Sequence, residues 1–156
     1  MPEGTTSKNV QVTGFGQVNG YRESVVLADN SRKTVDCFLG IPFAQPPVEN
    51  LRFRPPEPLP EPDDASKVAY NAMEPPASCY QTVDTAFESR LVDAWNPNTN
   101  MSEDCLYLNI WKPQAASAAS KKAVMVSLSM FCSGRTLLDS ILITVVTSVL
   151  ISCYYN

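Results

Sequence analysis

The chain has 156 residues, of which 44% are hydrophobic and 18% are charged, a composition typical of a single globular domain. A formal net charge of -4 argues against a nucleic-acid-binding protein, because a surface that binds nucleic acid has to attract its negatively charged phosphates. The sequence contains no histidine. A Ser-His-Asp mechanism, or any other reaction with a histidine base, would therefore need a histidine from outside these 156 residues.

The chain has five cysteines, which stand at positions 37, 79, 105, 132 and 153. No interval between them is C-x-x-C, which argues against a zinc site or a thioredoxin-type redox motif, and we predict neither a metal nor another cofactor. The odd number leaves at least one thiol without a partner within the chain. The first ten residues hold no apolar segment of the kind found in signal peptides. Either the chain is cytosolic or its sequence begins after a removed leader.

Residues 10–41 predict short antiparallel strands joined by tight turns. The strand segments are 10–12, 17–19, 24–27 and 34–39. Gly14 and Gly16 suit the first turn, and residues 28–31 form the second. A G-x-G at this place is also found in dinucleotide-binding loops. However, Gly20 comes one residue too late for that motif and no helical pattern follows, so we predict a hairpin.

Residues 42–62 are rich in proline, which occupies eight of the 21 positions. Proline lacks the amide donor and fixes φ, so this stretch predicts an extended segment on the surface, neither a helix nor an inner strand. Apolar side chains recur within it, at Phe43, Leu51, Phe53 and Leu59. They indicate packing against a core. The alternative is a proline-rich ligand of an SH3 or WW domain.

Three more segments are candidate strands. Residues 106–111 alternate between apolar and mixed positions, and residues 123–128 form another short apolar run. Residues 140–155 are nearly all apolar or hydroxylic, but they span 16 positions, fewer than the ~20 that a helix needs to cross a bilayer. Because Ile, Val and Thr dominate this tail, we predict a buried strand, or two merged short strands, in preference to a membrane anchor.

Two long motifs carry a specific resemblance. Residues 102–109 read S-E-D-C-L-Y-L-N, and residues 38–47 read F-L-G-I-P-F-A-Q-P-P. The first contains the E-D-C-L-Y-L-N signature of type-B carboxylesterases without a mismatch, and the second is similar to that family's F-L-G-I-P-[FY]-A-x-P-P segment. By this resemblance, residues 1–156 form one partial domain. The sequence is similar to the family up to about residue 139, and residues 140–156 form a divergent tail. It implies a partial α/β-hydrolase fold, with an N-terminal antiparallel hairpin and the first strands of the large sheet.

A narrower resemblance indicates the cholinesterase branch of this family. Residues 79–84 read C-Y-Q-T-V-D where the branch has C-x-Q-Y-V-D, and residues 94–98 read A-W-N-P-N where it has M-W-N-P-N. The resemblance implies that the ammonium of choline rests on Trp95 and that Asp84 stands at the gorge mouth. The chemistry fits, because indole is the best cation–π partner and a carboxylate attracts a cation. The alternative is that Trp95 is a packing residue of a loop.

The same resemblance implies two structural pairs. Cys79 and Cys105 would form the family's first disulfide. Arg52 and Glu103 match a pair that forms a salt bridge in the family, the alternative being an ordinary surface arginine and glutamate. Asn100 begins an N-x-S sequon inside the disulfide loop and is a glycosylation site if the chain is secreted. By resemblance, the protein is located outside the cell or at the cell surface.

The resemblance breaks where the family builds its catalytic centre. The family has G-G-G-F-x-S-G, whose backbone amides form the oxyanion hole, whereas residues 127–134 read S-L-S-M-F-C-S-G and keep only the F-x-S-G end. The nucleophile motif G-x-S-x-G does not occur among the six glycines. The acid and base of the family's triad lie further downstream than the position that matches residue 156. We therefore predict no catalytic residue in this chain and no esterase activity of its own.

Three functions are left open. The first is an inactive, truncated form of a cholinesterase-like enzyme, whose full-length parent would hydrolyse a choline ester or another small ester. The second is a non-catalytic binding or adhesion protein of the same fold, and the third is an esterase that completes its site with another chain. Trp95 and Asp84 favour an enzyme ancestor, and the absence of histidine counts against the third. No nucleic-acid partner is predicted, and the oligomeric state is left open.

Overall fold

The computed structural model describes residues 5–83, 96–116, 124–129 and 150–154. Within them the chain forms seven strands, which are β1 (Thr6–Val12), β2 (Gly16–Val26), β3 (Arg32–Pro42), β4 (Ala69–Asn71), β5 (Tyr107–Pro113), β6 (Met125–Ser129) and β7 (Leu150–Tyr154). Two single 3₁₀ turns, Glu49–Leu51 and Ala65–Lys67, are the helical elements of the described part.

The strands form one sheet in the order β1-β2-β3-β5-β7-β6, and β4 pairs with β2. The pairs β1–β2, β2–β3, β3–β5 and β5–β7 are antiparallel, whereas β2–β4 and β6–β7 are parallel. The predicted fold class is therefore confirmed in part. The first strands of a sheet are present and the sheet is mostly antiparallel, as expected for part of a carboxylesterase fold.

Both predicted hairpins are present. In the first, Val12 pairs with Gly16, and Phe15 N–H donates to the Val12 carbonyl at 3.1 Å. Gly14 has φ +75°, a conformation that favours glycine, and a Cβ on Gly16, whose φ is +134°, would lie 2.8 Å from the carbonyl oxygen of Val68, so a side chain at Gly16 would be both strained and crowded.

The second hairpin pairs Ser24 with Thr34 across the predicted turn. Asp29 organises this turn, because its Oδ1 accepts the backbone N–H of Ser31 at 2.9 Å. Asn30 has φ +61°, a conformation that asparagine tolerates better than most residues. The second turn is therefore built from local side-chain chemistry, as its sequence predicts.

The proline-rich segment is extended apart from its 3₁₀ turn. It is held to itself by Gln45, whose N–H donates to the Glu57 carbonyl at 2.9 Å and whose Nε2 donates to the Pro58 carbonyl at 2.9 Å. The interpretation that its apolar side chains all pack against a core is wrong for Phe53. That side chain is 99% exposed, with the guanidinium carbon of Arg52 5.5 Å from its ring centroid.

Among the described residues, the core forms two small clusters, to which alternating residues of β3 contribute. One cluster contains Val18, Phe38, Ile41 and Ala72. The other contains Tyr21, Cys37 and Leu39. Because successive residues of a strand point to opposite faces, Phe38 joins one cluster and Cys37 and Leu39 join the other.

The predicted strand in the tail is confirmed for residues 150–154, which form β7 between β5 and β6. Residues 140–149 lie outside the described residues. In the part of the chain that is described, no helix has the length and apolar character needed to span a membrane.

Candidate functional site

The candidate site is the segment between β4 and β5, and its position depends on a bulge at the end of β3. The β3–β5 register shifts between Phe38 and Ile41. Gly40 lies in this bulge with φ +76°, and its N–H donates to Oδ1 of the buried Asn109 at 2.8 Å. The amide of Asn109 thus supplies the hydrogen bond that the irregular ladder does not, and it fixes β5 beside the exit of β3.

A disulfide closes the segment immediately before β5. Cys79 and Cys105 are bonded at an S–S distance of 2.06 Å, with their Cα atoms 5.1 Å apart and a sequence separation of 26. Both cysteines are buried. The bond predicted from the motif is confirmed, and closing a loop of this length contributes about 3.5 kcal/mol to the free energy of unfolding.

Ser78 holds the two arms of the loop together beside the disulfide. Its N–H donates to the Asn100 carbonyl at 2.9 Å, and its carbonyl accepts the N–H of Ser102 at 2.9 Å. Its hydroxyl lies 2.7 Å from that of Thr99. The last residues of the loop are therefore fixed by backbone hydrogen bonds as well as by the sulfur bridge.

An ion pair connects the proline-rich segment to the motif before β5. Nη2 of Arg52 lies 2.6 Å from Oε1 of Glu103, and the two side chains are 51% and 34% exposed. Water screens a pair that is this accessible, so its contribution to stability is at most about 1 kcal/mol. The contact serves mainly to hold the proline-rich segment beside the disulfide.

A cavity of about 970 Å³ opens next to the disulfide. Its apolar wall comes from Pro47, Val48, Pro56 and Leu106. The Arg52–Glu103 ion pair and the exposed Tyr80 also line it. The lining is suited to holding an apolar group and contains no histidine, because the chain has none.

A smaller cavity of about 340 Å³ is lined in part by Glu74, Asp104 and Tyr107. The pKa of Tyr107 is raised to about 12, mainly by burial, with the hydrogen bond to Asp104 and the charge of that carboxylate acting in the same direction. The phenol is therefore held in its neutral form. Among the described residues, no three acidic or cysteine side chains are grouped so as to hold a metal ion.

The two residues predicted to bind choline, Asp84 and Trp95, lie outside the described residues. Asn100 is described, and its side chain is exposed. The structure thus places the two cysteines, Glu103 and the sequon on one loop, to which Arg52 of the proline-rich segment is joined by the ion pair.

Sequence reasoning missed a charged cluster at the centre of the sheet. Asp36 is 1% exposed, and it accepts a hydrogen bond from Nε of Arg22 at 2.6 Å, with Nζ of Lys112 3.6 Å from its other oxygen. Burial alone would raise the pKa of Asp36, but the hydrogen bond and the charges of Arg22 and Lys112 outweigh it and hold the pKa below its usual value. The available signal was one aspartate inside the apolar run 35–41.

Comparison with known proteins shows which family this chain resembles. The chain matches the carboxylesterase family over residues 6–153. It is 44% identical over 131 residues to the acetylcholinesterase of Electrophorus electricus, covering 82% of this chain and 19% of that protein. It is 53% identical over 117 residues to the cholinesterase of Mus musculus, covering 72% of this chain and 18% of that protein.

A third relative is the acetylcholinesterase of Gallus gallus, 41% identical over 128 residues, covering 81% of this chain and 16% of that protein. The chain thus spans less than a fifth of the length of these relatives. The family match covers nearly all of the sequence, including the β3 bulge, the Cys79–Cys105 loop and β5. The chain therefore belongs to the carboxylesterase family.

Proposed function

We propose that this chain is the N-terminal part of a cholinesterase-like carboxylesterase, that it contains the first strands of an α/β-hydrolase sheet, and that it hydrolyses no ester by itself. The observation that carries the proposal is the combination of 41–53% identity to cholinesterases with a complete absence of histidine. The sequence identity supports descent from a cholinesterase-like enzyme. The absence of histidine means that the base that activates a serine nucleophile is missing from this chain.

The closed loop supports a choline-binding role for its inner residues in a complete enzyme. Cys79–Cys105 and Ser78 hold both arms of the loop, and Asp84 and Trp95 lie between these anchors in sequence. A loop fixed at its ends limits the entropy lost when its residues take up a binding geometry. We assign Trp95 the face for a quaternary ammonium and Asp84 the attracting charge.

The substrate of a complete parent would be a choline ester or another small ester, in keeping with the names of the relatives. We assign the protein to the outside of the cell or its surface, because the Cys79–Cys105 bond is of the kind that persists in an oxidising compartment.

An esterase assay tests the absence of activity. The purified chain is incubated with acetylthiocholine and with nitrophenyl esters beside a heat-inactivated sample. We expect no difference between the two, because no base or oxyanion glycine motif is present to stabilise the transition state. Turnover that falls in proportion to the organophosphate added and reaches zero only at one equivalent per chain would refute the proposal, since a trace contaminant would be inhibited by far less.

A binding titration tests the loop separately. One cation–π contact contributes roughly 0.5–2 kcal/mol, less than the ~4 kcal/mol that millimolar binding needs. We therefore expect tetramethylammonium to give no saturating change in tryptophan fluorescence below ~10 mM. The matched control is Trp95→Ala, which retains Trp111. Saturation at sub-millimolar ligand that is lost in Trp95→Ala, without turnover, would instead favour a binding protein of the same fold.

A further inference from the structure

The sequon formed by residues 100–102 is a feature that the proposed function does not use. It is the single N-x-S/T sequon in the sequence. Asn100 is exposed, so a sugar attached to it would displace no core residue. This exposure makes the folded chain compatible with a glycan. The backbone of the sequon is held in place by hydrogen bonds.

Three groups of the sequon are engaged in hydrogen bonds. The carbonyl of Asn100 accepts the N–H of Ser78 at 2.9 Å, and the N–H of Ser102 donates to the Ser78 carbonyl at 2.9 Å. The hydroxyl oxygen of Ser102, the third residue of the sequon, accepts the N–H of Asp104 at 3.1 Å. Ser78 is itself buried, so the sequon backbone is fixed against the interior of the loop.

This arrangement depends on the neighbouring disulfide. Ser78 precedes Cys79, and Ser102 stands three residues before Cys105. The bond holds the Cα atoms of the two cysteines 5.1 Å apart, which places Ser78 opposite the sequon. Without the bond, Cys79 and Cys105 are connected only through the chain that separates them by 26 positions, and loop entropy opposes the approach of Ser78 to the sequon.

We propose that Asn100 accepts an N-linked glycan and that its modification competes with closure of the Cys79–Cys105 disulfide. The sequon rule requires a hydroxyl two residues after the asparagine, so the transferase has to contact Ser102 and Asn100 together. In the closed loop that hydroxyl and both neighbouring backbone groups are already bonded. The acceptor is therefore recognised while the two cysteines are still reduced.

The two reactions balance separately. In the transfer, the side-chain nitrogen of Asn100 bonds to the anomeric carbon of an oligosaccharide carried on a lipid pyrophosphate. The bond from that carbon to the pyrophosphate oxygen breaks, and one amide proton leaves with the lipid. In closure, the thiols of Cys79 and Cys105 lose two electrons and two protons to a disulfide exchange partner, which becomes a dithiol. The inference rests on the extracellular location given with the proposed function.

The test measures occupancy of Asn100 with the disulfide allowed and forbidden. The full chain is produced behind a secretory leader in eukaryotic cells, and the cells and medium are pooled, so that retained protein is also counted. Occupancy is the fraction of chain that shifts on enzymatic removal of N-glycans, with the Asn100 peptide identified by mass. We expect a glycan that is absent from Asn100→Gln, and a higher occupied fraction in Cys79→Ser/Cys105→Ser.

Two controls separate closure from misfolding. Cys37→Ser removes a cysteine outside the loop and should leave occupancy unchanged, and wild-type chain made in the presence of dithiothreitol should match the double variant. An unmodified Asn100 in both wild type and double variant, or equal occupancy in the two, would overturn the proposal. Because the leader is supplied and no turnover is measured, this outcome does not depend on the esterase assay.

Discussion

Nε of Arg22 lies 2.6 Å from Oδ1 of Asp36, and this hydrogen-bonded ion pair joins β2 to β3 inside the sheet. Lys112 of β5 approaches the other oxygen at 3.6 Å. The carboxylate is 1% exposed, whereas the two cationic side chains are 29% and 35% exposed. Asp36 therefore depends on these partners for its charge, while the partners retain access to water.

The unequal distances predict unequal effects of removing each cation. Arg22→Met leaves the buried carboxylate of Asp36 without its hydrogen-bond donor, and a buried acceptor deprived of a partner costs about 1–3 kcal/mol. Lys112→Met removes only the more distant charge and should have a smaller effect. Urea unfolding followed by tryptophan fluorescence measures both free energies. Equal losses in the two variants would contradict the role given to the hydrogen bond.

The same carboxylate predicts how stability depends on pH. Its folded pKa is lowered, so its contribution is complete above the unfolded value of about 3.9 and is lost as the pH falls through the folded value. We expect the urea midpoint to be steady above about pH 5 and to fall below about pH 4. Asp36→Asn should flatten that fall. A midpoint that rises on acidification would show that the sign is wrong.

At Gly20 in β2, the structure leaves no room for a side chain. A Cβ at this position would overlap the carbonyl oxygen of Cys37 and lie 2.5 Å from Cδ1 of Phe38. Relief requires β2 and β3 to separate, so Gly20→Ala should cost at least about 3 kcal/mol, the upper range for overpacking. Gly14→Ala is the matched control, since φ is +75° there but no atom lies within 4 Å, and it should cost about 1–2 kcal/mol. A smaller loss at Gly20 than at Gly14 would contradict this packing.

The burial of Cys37 predicts that its thiol is unreactive in the folded chain. It is fully buried, and burial raises its pKa to about 12, with the hydrogen bond to Glu23 at 3.4 Å acting in the same direction. Iodoacetamide at about pH 8 should label the Cys37 peptide only after unfolding in guanidinium, as read by peptide mass. Glu23→Gln should leave labelling slow, because burial is the larger cause. Labelling of the native chain at the unfolded rate would exclude a buried thiol.

Local chemistry made the hairpins predictable. Gly14, Gly16 and Asp29 specify their turns within a few residues, so both turns were found from sequence. β4 was missed because its three residues, Ala69–Asn71, become a strand only by pairing with Gln17–Asn19 of β2. The three residues alone are too short to show an alternating pattern.

Contacts in and around the site could be predicted only where a family motif in the sequence indicated them. The Cys79–Cys105 bond came from the resemblance, since five cysteines alone leave many pairings. The Asp36 cluster was missed because its partners come from different strands and meet only in the sheet. Phe53 was misjudged because an apolar residue is not always buried, and here the ring faces solvent.

The hydrogen bond from Gly40 to Asn109 joins residues 69 apart in sequence, so β3 and β5 have to find each other across a long stretch of chain. Within that stretch, the disulfide directly links Cys79 and Cys105, whose sequence separation is 26. Shortening the path in this way lowers the entropic free-energy cost of closing the loop by about 0.4 kcal/mol. This is equivalent to roughly a twofold faster encounter of the two strands. Oxidised chains should therefore align β3 with β5 sooner than reduced chains, which ties the order of sheet assembly to the redox state of the compartment in which the chain folds.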